Sequence, residues 1–148
     1  IVSYTASLVR AVLKKGAQTG LLTISEERAA FPTRRGEGQL HQLFYHLAKI
    51  VPNSPASFEK VLETEGMFVQ QTVSFLLVTG QLTKLLIEKA GFLGQRKGKI
   101  TLFLIKGESE APSQTEKSLI ALANARNVRV LMVHEGEFAS AFAEVNLR

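Results

Sequence analysis

Four strand-like apolar runs separated by helical patterns, with a helix at the head of the series, constrain this chain more than any other feature. Residues 1–15 place Val2, Ala6, Val9 and Leu13 at helical spacing. Apolar runs follow at 21–25, 73–79, 100–105 and 128–133. The later runs are nearly continuous in Val, Ile, Leu and Phe, the composition of parallel strands buried on both faces, and helical patterns separate them. This alternation predicts a doubly wound, mainly parallel α/β sheet. The first strand of such a sheet normally lies at its centre and presents the first active groups at its C-terminal end. A series headed by a helix is therefore expected to be that fold lacking its first central strand.

The connections sharpen this expectation. Gly16 and Gly20 bracket the passage from the first helix to 21–25, and Glu26 and Glu27 make a tight link to the short run 28–31. Pro32 removes a ladder donor there, which suits an antiparallel strand at the sheet edge. Leu40, Leu43, Phe44, Leu47 and Ile50 or Val51 line a helix ended by Pro52; Ser54 then caps a second, with Pro55 in its first turn and Phe58, Val61 and Leu62 facing inward. Leu82, Leu85, Leu86, Ala90 and Leu93 supply the inward face of the next helix, with Gly94 as its end. Ser113 and Glu116 have the spacing of a capping box, ahead of Leu119, Leu122 and Ala123. Phe138, Ala141, Phe142 and Val145 close the chain on a short helix.

At 148 residues, 45% hydrophobic and 21% charged, the chain is expected to form one domain, 1–148. It has no cysteine, which excludes disulfides, thiol chemistry and zinc sites with sulfur ligands. The longest apolar stretches fall far short of the roughly 20 residues that cross a bilayer, and no signal-peptide pattern is present. A cytoplasmic setting is expected. The formal charge of +5 permits an anionic partner.

Helix, hairpin, two helices and three strand-helix units is the order of a von Willebrand factor A-like domain without its first strand. The stretches YTASLVR from Tyr4, GLLT from Gly20, GEGQLHQLF from Gly36 and LAKI from Leu47 resemble the C-terminal half of a bacterial family, domain of unknown function 58. This resemblance implies a parent protein anchored in the membrane by N-terminal helices and encoded beside a MoxR-type AAA ATPase, with an adaptor role. It also implies a sheet order of 3-2-1-4-5-6, with the missing strand between 21–25 and 73–78. Two edges would then be left open. Either Leu22 and Ile24 pair directly with Phe75 and Leu77, or the gap drives self-association.

Von Willebrand factor A-like domains often bind a divalent cation through Asp-x-Ser-x-Ser after the first strand, a threonine before the third helix and an aspartate after the fourth strand. Alignment on that pattern puts Ala56 in the threonine position, with Ser54 and Ser57 alongside, and Gly80 in the aspartate position. Hard cations need oxygen ligands, carboxylates above all, so no metal site and no cofactor are expected.

Other chemistry is confined to the strand ends. His134, beside Glu135 and Glu137, follows the last strand, at the sheet edge where α/β enzymes place their active groups. Thr79, Gly80 and Gln81 begin a strand-to-helix turn that can offer amides and hydroxyls to an anion, without the glycine fingerprint of a nucleotide loop. His41 and His46 have no zinc spacing and suit packing or surface roles. Glu26, Glu27, Glu108, Glu110, Glu135 and Glu137 fall after strands, whereas Lys14, Lys15, Arg34, Arg35, Arg96, Lys97, Lys99, Arg126 and Arg129 fall at the opposite edge. Helix dipoles favour this segregation but leave Arg34 and Arg35 unexplained, so a basic face toward anionic lipid or an acidic protein stands as the second reading. It lacks the interleaved aromatics that stack bases, and no specific nucleic acid is expected.

The expected function is a non-enzymatic protein-interaction or adaptor domain of a larger bacterial protein, acting with a MoxR-type AAA ATPase. The alternative is a small Rossmann-like anion- or nucleotide-binding domain, or a hydrolase, using the edge formed by Thr79, Lys106 and His134.

Overall fold

The structure, a computed structural model, describes residues 1–24, 27–50, 57–65, 74–108 and 110–136. The expectations for Glu26, Val51, Pro52, Ser54, Pro55, Ala56, Val73, Glu137 and the closing helix lie outside these residues. The chain divides into two compact units, Ile1–Ser57 and Phe58–Arg148.

The first unit contains α1 (Val2–Lys14), β1 (Thr19–Ile24), β2 (Arg28–Arg34) and α2 (Glu37–Lys49). Val9 and Leu13 of α1 and Leu43 of α2 are buried together, with Leu21, Phe31, Leu40 and Phe44 packed around them. The helical periodicity of α1 and the alternation of the hairpin thus converge on one small core. β1 and β2 pair antiparallel, as the Pro32 pattern predicts, but β2 continues beyond Pro32 to Arg34. The reason is a bulge. Leu21 pairs with Phe31 and Thr19 with Arg34, so Pro32 and Thr33 together lie across from Gly20, where proline's missing donor is tolerated. Gln39, buried on α2, closes the irregularity: its Nε2 donates to the carbonyls of Thr19 at 2.8 Å and Pro32 at 3.0 Å.

The second unit contains α3 (Phe58–Glu65), β3 (Phe75–Thr79), α4 (Lys84–Lys97), β4 (Ile100–Lys106), α5 (Gln114–Ala125) and β5 (Val128–His134). Its strands form a parallel sheet in the order β3-β4-β5. Ile100, Leu102 and Leu104 share one face of β4 by the period of two, and the register sets Phe75 and Leu77 beside Ile100 and Leu102 on that face. Leu86, Ile87, Ala90 and Leu93 of α4 and Ala123 of α5 complete the core with them. Full burial of each large apolar side chain contributes about 1.5–3 kcal/mol. Phe103 is fully buried although it points to the other face, so β4 is covered on both sides, as its nearly continuous apolar run predicts.

Three expectations are corrected. Gly94 does not end its helix: α4 runs on to Lys97, and Gly98 at φ 146° terminates it. A Cβ on Gly94 would lie 3.0 Å from Ile100 Cγ1, so this glycine lets the helix approach β4. Leu85 is 51% exposed and does not join the inward face. Leu22 and Ile24 pair with Ala30 and Arg28, while Phe75 and Leu77 pair with Ile100 and Leu102. The direct pairing of those two strands is not formed: β1 and β3 belong to separate sheets, and the other edge of β1 and of β3 has no ladder partner among the described residues.

Candidate functional site

Parallel strands end at a common edge, and in the second unit that edge carries Thr79, Lys106 and His134 at the ends of β3, β4 and β5. Lys106 and His134 are register partners, and Thr79 lies across from Leu104. Thr79 closes a local turn: its Oγ1 accepts from the Gln81 N–H at 3.2 Å and donates to the Gln81 carbonyl at 3.1 Å. Thr83 caps α4 by accepting from the Leu86 N–H at 3.0 Å, and donates to Glu59 of α3 at 2.6 Å. The hydroxyls of the β3–α4 turn thus take up amides that an anion would need. Gly80 and Gln81 are exposed.

Lys106 is the centre of the edge. Its side chain is 10% exposed, with Nζ 2.7 Å from Glu116 Oε2 and 3.4 Å from Glu110 Oε1. Glu116 is also the third residue of the expected capping box: its Oε1 accepts from the Ser113 N–H at 3.0 Å, and Ser113 Oγ accepts from the Glu116 N–H at 3.1 Å. Glu110 in turn accepts from the Gly107 N–H at 2.9 Å. The hydrogen bond to Glu116 raises the Lys106 pKa against the opposing effect of burial. The same bond is the main cause of the lowered Glu116 pKa, whereas the Gly107 amide leads in lowering that of Glu110. His134 Nε2 lies 2.6 Å from the Glu110 carbonyl oxygen. A carbonyl can only accept, so this nitrogen carries the proton in that bond.

The lysine, two glutamates and histidine therefore form one network that pins the β4–α5 loop to β5. Sequence inspection singles out Lys106 and His134 but misses Glu110 and Glu116 as their partners; the Ser113-Glu116 spacing was the available signal. Ser57 is exposed just before α3, while Ser54 lies outside the described residues. No group of three or more His, Asp or Glu is placed to hold a metal ion among the described residues. His46 packs on Phe31, ring centroids 5.1 Å apart, and hydrogen-bonds Thr23 at 2.6 Å.

The basic residues fall into two groups. In the first unit, Lys14 ends α1 and Lys15 follows it while Arg34 pairs with Thr19, so with Arg35 they gather at the start of β1, all exposed. In the second, Arg96 and Lys97 end α4, and Lys99, Arg126 and Arg129 lie near the strand starts; Glu108, Glu110 and Glu135 lie past the strand ends. The expected charge segregation is present there, with Lys106, neutralised by its carboxylates, and Lys84 at the start of α4 as exceptions. No helix among the described residues is long and apolar enough to cross a membrane.

The sequence profile of the family described as Protein of unknown function DUF58 matches residues 1–146. The chain belongs to that family. A further relative of this DUF58 chain is the Uncharacterized protein YeaD of Bacillus subtilis (strain 168), 31% identical over 137 residues, which are 92% of this chain and 34% of YeaD. The chain thus spans about a third of the length of that relative. Among solved structures, the SpRpn10 VWA domain matches with a TM-score of 0.64 at 12% identity, covering 98% of this chain and 84% of that one. The DUF58 chain has a von Willebrand factor A-like fold, with a parallel three-stranded sheet and an antiparallel pair.

Proposed function

We infer that this DUF58 chain is a protein-binding adaptor of a larger bacterial protein, non-enzymatic and without a bound divalent cation, working with a MoxR-type AAA ATPase in the cytoplasm. The observation that carries the reading is the saturation of the sheet's C-terminal edge. Lys106 spends its charge on Glu116 and Glu110, Thr79 turns its hydroxyl on Gln81, and His134 donates to a backbone carbonyl. Polar groups engaged in holding loops support a shaped surface more than an anion cradle or a hydrolase. Gly80 brings no carboxylate to the position where a cation-binding relative has aspartate, which supports recognition without metal.

The test is direct binding. Immobilised chain is expected to bind a purified MoxR-type ATPase from a bacterium that encodes both, with affinity that weakens as salt rises. Absence of binding at low salt removes the ATPase from the proposal. Turnover of phosphate or ester substrates that disappears in Lys106→Met or His134→Ala refutes the non-enzymatic reading and restores the alternative.

A further inference from the structure

Resting on the reading of the chain as a protein-binding domain, we propose that the groove between α3 and α4 docks a partner's amphipathic helix with an acidic first turn, running antiparallel to α4. The groove encloses about 380 Å³. Leu62 of α3 and Leu93 of α4, both buried, form its floor. Leu85 and Phe92, 51% and 50% exposed, stand on its wall. They are seven residues apart, two turns on one side of α4, while Leu86, Ala90 and Leu93 face the core. Water-facing leucine and phenylalanine over an apolar floor is the surface that helix-in-groove recognition uses.

Charge selects the occupant and its direction. Glu63 and Lys89 face each other across the groove at 3.8 Å and offset one another. That leaves Glu88 one turn from Leu85 at one end, and Arg96 and Lys97 at the other. Arg96 is seated over the Phe92 ring, 4.7 Å from its centroid, so its guanidinium is held beside the apolar wall. From Leu85 to Arg96 the groove measures about 16 Å, three turns of a partner helix. Acids favour a helix's first turn and bases its last. A helix antiparallel to α4 therefore brings acids to Arg96 and Lys97, bases to Glu88, and its dipole against that of α4. A helix with those charges exchanged end for end meets like charge at both ends in that direction, and in the opposite direction it sets its dipole parallel to that of α4.

The test uses the 148-residue chain and three synthetic helical peptides of about four turns, followed by fluorescence anisotropy. One has a leucine stripe, glutamates in the first turn and lysines in the last; a second exchanges those charges end for end; a third replaces the leucines with serine. The first peptide is expected to bind about tenfold more tightly than the second, and the third not to bind. Leu85→Ser with Phe92→Ser is expected to abolish binding, and Arg96→Glu with Lys97→Glu to invert the preference between the first two peptides. Both pairs change exposed or rim positions, and unchanged thermal melts establish that they fold. Equal affinity for the two charge orders, no binding of the first peptide, or binding that survives the Leu85 and Phe92 changes overturns the proposal. So does self-association, or binding to phosphatidylglycerol vesicles, that those changes abolish while no peptide binds: the occupant is then a second copy or lipid. An ATPase that still binds the Leu85→Ser, Phe92→Ser protein leaves the adaptor reading standing and removes this groove from it.

Discussion

Lys106 shows how one side chain changes meaning between sequence and structure. A lysine at a strand end is a candidate anion ligand, yet here two carboxylates reach it and a capping box supplies the nearer one. Lys106→Met keeps most of the stem and removes the charge, leaving the 16% exposed Glu116 without its cation. A loss of about 1 kcal/mol is expected by urea unfolding at neutral pH. The signs set a window. Glu110 and Glu116 have lowered pKa values, so their contribution is present above the ordinary 4.5 and fades as pH falls through the depressed folded value. Lys106 is raised, so its share is present below 10.5 and fades as pH rises through the folded value. The difference between wild type and Lys106→Met is expected to form a plateau between those limits and shrink beyond them. A difference independent of pH would assign the loss to packing alone.

At the scale of elements, two glycines set how closely neighbours approach. Gly94 inside α4 accepts the helix-propensity cost of about 1 kcal/mol because Ile100 presses against it. Gly20 is the stricter case. A Cβ there would lie 2.6 Å from the Phe31 carbonyl oxygen and 3.1 Å from the Thr33 nitrogen, both backbone atoms of the paired strand. Neither can swing aside as a side chain would, so Gly20→Ala must reshape the bulge that Gln39 clamps. Destabilisation of about 1–3 kcal/mol is expected in chemical denaturation, with faster amide exchange in β1 and β2. Wild-type stability in that variant would mean that the bulge adapts and the close approach is dispensable.

For the whole molecule, the edges of β1 and β3 that have no ladder partner among the described residues govern how the chain associates. Phe75 donates its N–H to Lys99 on the β4 side at 2.8 Å. By the alternation of a strand, Leu77 and Thr79 donate the same way, and Leu76 and Val78 direct their N–H groups to the free edge. An edge of this kind recruits other strands, so sedimentation velocity of the isolated chain is expected to show association that grows with concentration. Leu76→Pro removes a donor only from the free edge, a position where proline is tolerated. It is expected to suppress association while keeping the far-ultraviolet circular dichroism. A chain that stays monomeric throughout would show that its edges are protected by its own residues.

Much of the architecture was legible in the residues alone. Helical spacing in α1 and α2, the nearly continuous apolar run of β4, Pro32 beside a short strand and the Ser113-Glu116 box each depend on a local period or a contact within one turn, which sequence displays directly. The site was less legible, because its groups meet through the folding of a loop and the pairing of strands and not through a local period. Nothing near Lys106 in a linear pattern says that Glu116 lies 2.7 Å away, nor that Gln39 will bridge Thr19 and Pro32. Leu85 and Leu86 are neighbours of one chemical type, and only the direction from which β4 packs decides that one is buried and the other stands in water. Gly94 likewise has a helix-ending composition but a helix-packing role, settled by the approach of Ile100. Periodicity specifies which surfaces are apolar; tertiary structure decides which of them are covered, because burial belongs to pairs of surfaces and not to single residues.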